Sequence, residues 1–190
     1  MKKMMTLVLM MTIAISANAM SYTAARHEAL FLSDKMAYEL GLTDEQYAAV
    51  YEINLDYMMS VNGDADVLGP WWKRRNADLR YVLTPWQYDK YIGLTHFYRP
   101  LSWHAGTWRF NIYGRYANRD HFYRARPSVF VSYMGGNNRR AERFYADRWA
   151  PRHAGNATWR ATGGNHRHQP VAGHDSRRGH GPSGHGRWSR

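Results

Sequence analysis

Residues able to do chemistry fall into three groups in this chain of 190 residues. His166-x-His168 places two imidazoles where they could chelate a soft or borderline divalent cation, within a tract that also holds His153, His174, His180 and His185. No cysteine or carboxylate cluster accompanies the pair. It therefore reads as a low-complexity tail with incidental metal affinity, and no other cofactor is called for. Trp71-Trp72-Lys73-Arg74-Arg75 sets two large aromatic rings beside three cations, and Met58 and Met59 follow Tyr57 as adaptable apolar contacts. Helical spacing assigns Met58 and one of the two tryptophans to the core, and Trp71 and Trp72 cannot both face inward on one helix. One of them is expected to be exposed or at an interface. Third, residues 101 to 150 interleave twelve Trp, Tyr and Phe with arginine, giving Arg109, Arg115, Arg124, Arg126, Arg139 and Arg140 as candidates for an anionic partner. The bland counterpart is a small aromatic core with arginines stacked on its rings. Catalysis finds no constellation: His27, His96, His104 and His121 are scattered, and Asp64 and Asp66 sit in a turn without a base. There is no nucleophile elbow, HExxH site or phosphate loop. The chain reads as a binding protein rather than an enzyme.

The elements that must position these residues begin behind a leader. Lys2 and Lys3 precede an apolar run from Met4 to Ile15 and the small residues Ser16-Ala17-Asn18-Ala19, the pattern of a signal peptide cut after Ala19. Removal leaves a protein expected to be soluble outside the cytoplasm, with no later segment able to span a bilayer and no cysteine for a disulfide or acyl anchor. Residues 20 to 100 carry 8 Lys/Arg and 11 Asp/Glu, whereas 101 to 190 carry 16 arginines and 4 acidic residues, so the halves meet different partners. Ala25, Ala29, Leu32, Met36 and Leu40 form the apolar stripe of a helix that Gly41 ends, with Arg26, Glu28, Asp34 and Lys35 off the stripe. Tyr47, Val50, Tyr51, Met58 and Val61 mark a second helix, closed by Gly63. Pro70 opens a third with Trp72, Leu79 and Val82 on one side. A fourth carries Tyr88, Tyr91, Ile92 and Thr95 and stops at Arg99-Pro100. Short links make consecutive helices antiparallel, so the fold class is mainly α, four antiparallel helices in two hairpins over residues 20–100. Residues 101–150 are expected to add short strands around Trp108 to Tyr116 and at Ser128 to Tyr133, a turn at Gly135-Gly136-Asn137-Asn138, and a short helix from Arg139 to Trp149. Residues 151–190 are too poor in apolar side chains to offset the entropy of ordering, and are expected to be disordered.

One pattern ties the helices together. Leu-Thr-x-x-Gln-Tyr occurs at Leu42 to Tyr47 and again at Leu83 to Tyr88, 41 residues on. Thr43 and Thr84 read as N-caps whose hydroxyls accept from the third helical N–H, and Gln46 and Gln87 stand where their amides can reach back, a capping box written twice. Leu42 and Leu83 are expected to pack at hairpin corners, and Tyr47 and Tyr88 to pack rather than bind. With a leader and a helical body, the paired motif resembles the Spy/CpxP-like periplasmic proteins over residues 24 to 99. The resemblance implies curved, cradle-shaped homodimers and an envelope-stress role: chaperoning unfolded envelope proteins without ATP, inhibiting a sensor kinase, or binding divalent metal. Under that reading Met58, Met59, Trp71, Trp72, Lys73, Arg74 and Arg75 are the candidate client contacts. The alternative is a structural or adhesive envelope protein binding anionic polymer or membrane through its C-terminal half. A periplasmic location argues against nucleic acid, although arginine and aromatic residues together would suit it.

Overall fold

The computed structural model describes residues 19–153; residues 1–18, which hold most of the expected signal peptide, and residues 154–190, with His166 and His168, lie outside them. The chain is mainly helical. Ser21 caps α1 (Tyr22–Leu40) by accepting from Ala24 N, and Gly41 ends it with φ 62°, a left-handed conformation glycine adopts without a Cβ clash. Three residues later α2 begins (Asp44–Ser60). The acidic turn at Asp64 and Asp66 winds into a single helical turn, α3 (Asp64–Val67), and α4 (Pro70–Val82) starts on its proline. The expected fourth helix is interrupted: α5 (Pro85–Gly93) ends in an extended Leu94, and α6 (Thr95–Tyr98) restarts after it. The stripe read for one continuous helix is accordingly split, with Tyr91 buried but Ile92 43% exposed.

Beyond Pro100, β1 (Leu101–His104) pairs antiparallel with β2 (Thr107–Phe110), Trp103 opposite Trp108. Ala105 and Gly106 both have positive φ, the twist that a two-residue hairpin turn requires. The strand expected through Tyr116 stops at Phe110, because Asn111 N donates to Pro100 O (2.9 Å) and residues 111–114 coil into a 3₁₀ turn. Ser128 to Tyr133 is not a strand either. Its β-branched and aromatic residues have no ladder to join, and Tyr133 N instead closes a turn on Val129 O (2.9 Å). The last helix is α7 (Phe144–His153), shorter at its start than the residues from Arg139 suggested, since 137–139 form a 3₁₀ turn.

α1 and α2 pack together at the centre. Residues 29–37 of α1 and 49–58 of α2 are buried without a break, so both helices are covered on every side rather than along one stripe. α4 lies against α2 on one side. Residues 101–149, termed the wrap below, supply the remaining cover: Leu101, Ile112, Phe130, Tyr145 and Trp149 share one core with the helices. Asp34 and Lys35, off the apolar stripe of α1, are buried too. They pair at 2.7 Å, the lysine also donates to His121 O (2.5 Å), and the carboxylate accepts the backbone N–H of Tyr123 (3.0 Å) and Arg124 (2.9 Å).

Candidate functional site

The doubled motif builds a joint between two helix starts. Thr43 and Thr84 each accept from the N–H of the glutamine three residues on, and each glutamine carbonyl accepts from its threonine N–H, at 3.0 Å for Gln46 and 2.9 Å for Gln87. The amide ends then meet. Gln46 Nε2 donates to Gln87 Oε1 (2.7 Å), and Gln87 Nε2 donates back to Gln46 Oε1 (3.2 Å). The second donor of each is exchanged in the same way: Gln46 reaches Val82 O (2.9 Å) at the end of α4, and Gln87 reaches Leu40 O (3.2 Å) at the end of α1. Each motif thus closes the helix end that precedes the other one. Leu42, Leu83 and Tyr47 are buried around the joint, and Tyr88 is half-buried against the core. No ligand-facing atom of either glutamine remains, so the motif's chemistry is internal.

The wrap is held by groups that no local sequence signal announces. Tyrosine hydroxyls from it donate to carboxylates of the central helices: Tyr113 to Glu28 (2.5 Å), Tyr116 to Glu39 (2.5 Å), Tyr133 to Asp56 (2.7 Å) and Tyr145 to Glu52 (3.1 Å). The Gly135-Gly136-Asn137-Asn138 turn closes around the same Asp56, whose carboxylate accepts Gly136 N (2.7 Å) and Asn138 N (2.8 Å). Positive φ at both glycines allows that approach, and a Cβ on Gly135 would lie 3.0 Å from Met59 Sδ. Burial pushes Glu28, Glu52 and Asp56 above the usual carboxylate range despite these bonds.

The residues read as a client-gripping surface are mostly interior. Met58 is 1% exposed and Met59 is half-buried. Trp71 and Trp72 are both half-buried, where one was expected to be exposed or at an interface, and α4 has cover on two sides; Trp72 Nε1 donates to Tyr98 O (2.8 Å). Arg75, read as a surface cation, is 1% exposed and bonds neutral groups: Asn54 Oδ1 (2.8 Å), Tyr91 Oη (2.7 Å) and Phe97 O (3.1 Å). The rings of Tyr57 and Tyr91 lie 5.6 Å from its guanidinium carbon. Arg74 pairs with Asp78 (2.8 Å) and donates to Ala141 O (2.9 Å); Lys73 alone of the set is exposed.

Of the arginines read for an anionic partner, Arg124 serves the fold instead. It donates to Leu42 O (2.7 Å) and pairs with Asp44, clasping the start of α2. Arg115 approaches Glu39 at 4.0 Å. Arg109, Arg126, Arg139 and Arg140 are exposed, and no carboxylate pairs with them within 4 Å among the described residues. Arg126 lies over the Phe130 ring and Arg140 over Phe144. The Arg74 bond to Ala141 brings the cations of α4 beside Arg139-Arg140, joining two clusters that lie 65 residues apart in the chain. Among the described residues no group of three or more His, Cys, Asp or Glu is placed to hold a metal ion. Comparison with family models, curated proteins and solved structures finds no match.

Proposed function

We propose that this chain is an envelope protein of the LTxxQ type, two helical hairpins joined at their motif ends, that holds an anionic polymer or headgroup surface on the arginines of its wrap. One observation carries the reading: the wrap packs most of its aromatic side chains into or against the common core and leaves Arg109, Arg126, Arg139 and Arg140 outside. Arg139 and Arg140 stand next to the Arg74 contact on Ala141, close in the chain to the exposed Lys73, with Glu142 as the neighbouring acid. Guanidinium groups in that setting are suited to forked bonds with phosphate, sulfate or carboxylate. The residues that would line an open cradle for unfolded chains are largely taken up in the core, which favours the surface reading over capture of clients.

The test is binding of residues 20–190 to phosphatidylglycerol vesicles and to immobilised polyphosphate. Binding is expected at low salt and is expected to fall as the ionic strength passes roughly 0.1 M, where the Debye length is about 10 Å. The double variant R139Q/R140Q should weaken it roughly thirtyfold, since each cation near an anionic surface is worth about 1 kcal/mol. No binding at low salt to either partner would overturn the proposal, as would binding indifferent to the double variant.

A further inference from the structure

A cavity of about 460 Å³ lies between α1 and the wrap, lined by Arg26, Leu30, Phe122, Arg124, Arg126 and Phe130. That volume is in the range of small-molecule sites, roughly 300–1,000 Å³. Its chemistry is divided. Leu30, Phe122 and Phe130 give it an apolar floor, and its charged lining residues are three arginines, with His27 beside them. The guanidinium carbons of Arg26 and Arg126 lie 4.0 and 4.7 Å from the centre of the same Phe130 ring, so two like charges share one aromatic support. No carboxylate lines the cavity. Arg26 uses Nη2 on Phe130 O (2.8 Å), and the Tyr51 hydroxyl lies beside the same guanidinium.

The charges around the site do not cancel this excess. Arg124 is turned away in part, toward Leu42 O and Asp44. Asp34 is occupied by Lys35 and by backbone N–H groups of the wrap. At the rim His27 faces Glu28 at 3.9 Å, and Glu28 is already taken by the Tyr113 hydroxyl. Cations therefore converge on an apolar, partly enclosed space that contains no counter-ion of the protein, an arrangement that concentrates positive potential inside it.

We infer that this cavity binds a small amphiphile: one carboxylate or phosphate head between Arg26 and Arg126, and an alkyl or aryl body against Leu30, Phe122 and Phe130. The ligand's head accepts from these two guanidinium groups, and its body covers the floor. This goes beyond the polymer surface proposed above, because Arg109, Arg139 and Arg140 do not line the cavity.

Titration calorimetry of residues 20–190 with decanoate, decyl phosphate and decanol tests it. Both anions should bind at one equivalent and decanol at least tenfold more weakly, the tighter anion identifying the head. R126Q, a change at an exposed side chain, should weaken decanoate about tenfold, and A125W should abolish binding by filling the cavity from its edge. The same A125W protein should keep the parent's cooperative thermal unfolding by circular dichroism, which shows that it is folded, and should still bind polyphosphate, which separates this site from the surface. Absence of saturable decanoate binding, equal binding of decanol, or binding unchanged in R126Q and A125W would each overturn the inference.

Discussion

A carboxyl group satisfied on one side only makes Asp78 the titrating residue with the clearest consequence. Its Oδ2 accepts from Arg74 (2.8 Å), its Oδ1 is buried without a partner, and its side chain is 2% exposed. Burial outweighs the neighbouring cation and pushes the group up to about 6, from an ordinary 3.8. The folded chain therefore holds this proton more tightly than the unfolded one. Acidification through 6 toward 3.8 favours folding, and the contribution is lost as the pH rises through 6. The slope is at most about 1.4 kcal/mol per pH unit. Between about pH 7.5 and about pH 5, the stability of the parent should gain roughly 1 kcal/mol on that of D78N, in urea unfolding at each pH. A difference that stays flat would mean that Asp78 does not titrate in this window. Glu28 and Glu52 are shifted in the same direction and act alike in both proteins, while Asp56, also raised, adds to the Asp78 shift. None of this was legible from residue type. Arg75 read as a candidate client contact, because the groups that bury it, namely Asn54, Tyr91 and Phe97, lie far from it in the chain.

At the scale of elements, the strongest coupling is between helix starts rather than along them. Removing Gln46 leaves Thr43 N, Val82 O and the Gln87 amide without their partners, and removing Gln87 leaves the mirror set. Each of Q46A and Q87A should cost about 1–3 kcal/mol, the range for stranding buried polar groups. The double variant should cost less than the sum by about 1 kcal/mol, since the second change removes the stranded partner of the first. Denaturant unfolding of the four proteins measures this, and strict additivity would show that the two capping boxes act independently. The caps themselves were readable because a capping box is complete within four residues. The bond between the boxes was not, since it joins positions 41 residues apart. Ser128 to Tyr133 fails for the opposite reason: its composition favours a strand, but a strand exists only where another edge accepts its hydrogen bonds, and the one sheet among the described residues is the β1–β2 hairpin. The glycine-asparagine turn after it was legible, yet its work of surrounding Asp56 depends on α2.

For the whole molecule, the change of composition at Pro100 is a change of role within one core. Residues before it supply central helices whose buried stretches include Asp34, Lys35, Glu52 and Asp56, and residues after it supply the hydroxyls, backbone N–H donors and, for Lys35, the backbone carbonyl acceptor that make this burial tolerable. The wrap also contributes Leu101, Ile112, Phe130, Tyr145 and Trp149 to the core. At about 1.5–3 kcal/mol for each large apolar side chain buried, their loss removes on the order of 10 kcal/mol, comparable to the entire stability of a typical domain, roughly 5–15 kcal/mol. A protein ending at Pro100 should therefore keep helical propensity at its capping boxes but lose cooperative unfolding, giving a broad thermal transition by circular dichroism and little hydrogen-exchange protection in α1 and α2. Residues 20–153 should melt cooperatively. If the shorter chain also shows a sharp transition and protected central helices, the helical hairpins are self-sufficient and the wrap is an added layer, and the buried carboxylates of α1 and α2 would then be free to face a client in a cradle. If it does not, the binding surface of this protein must be sought on the outside of the wrap, where the arginines are.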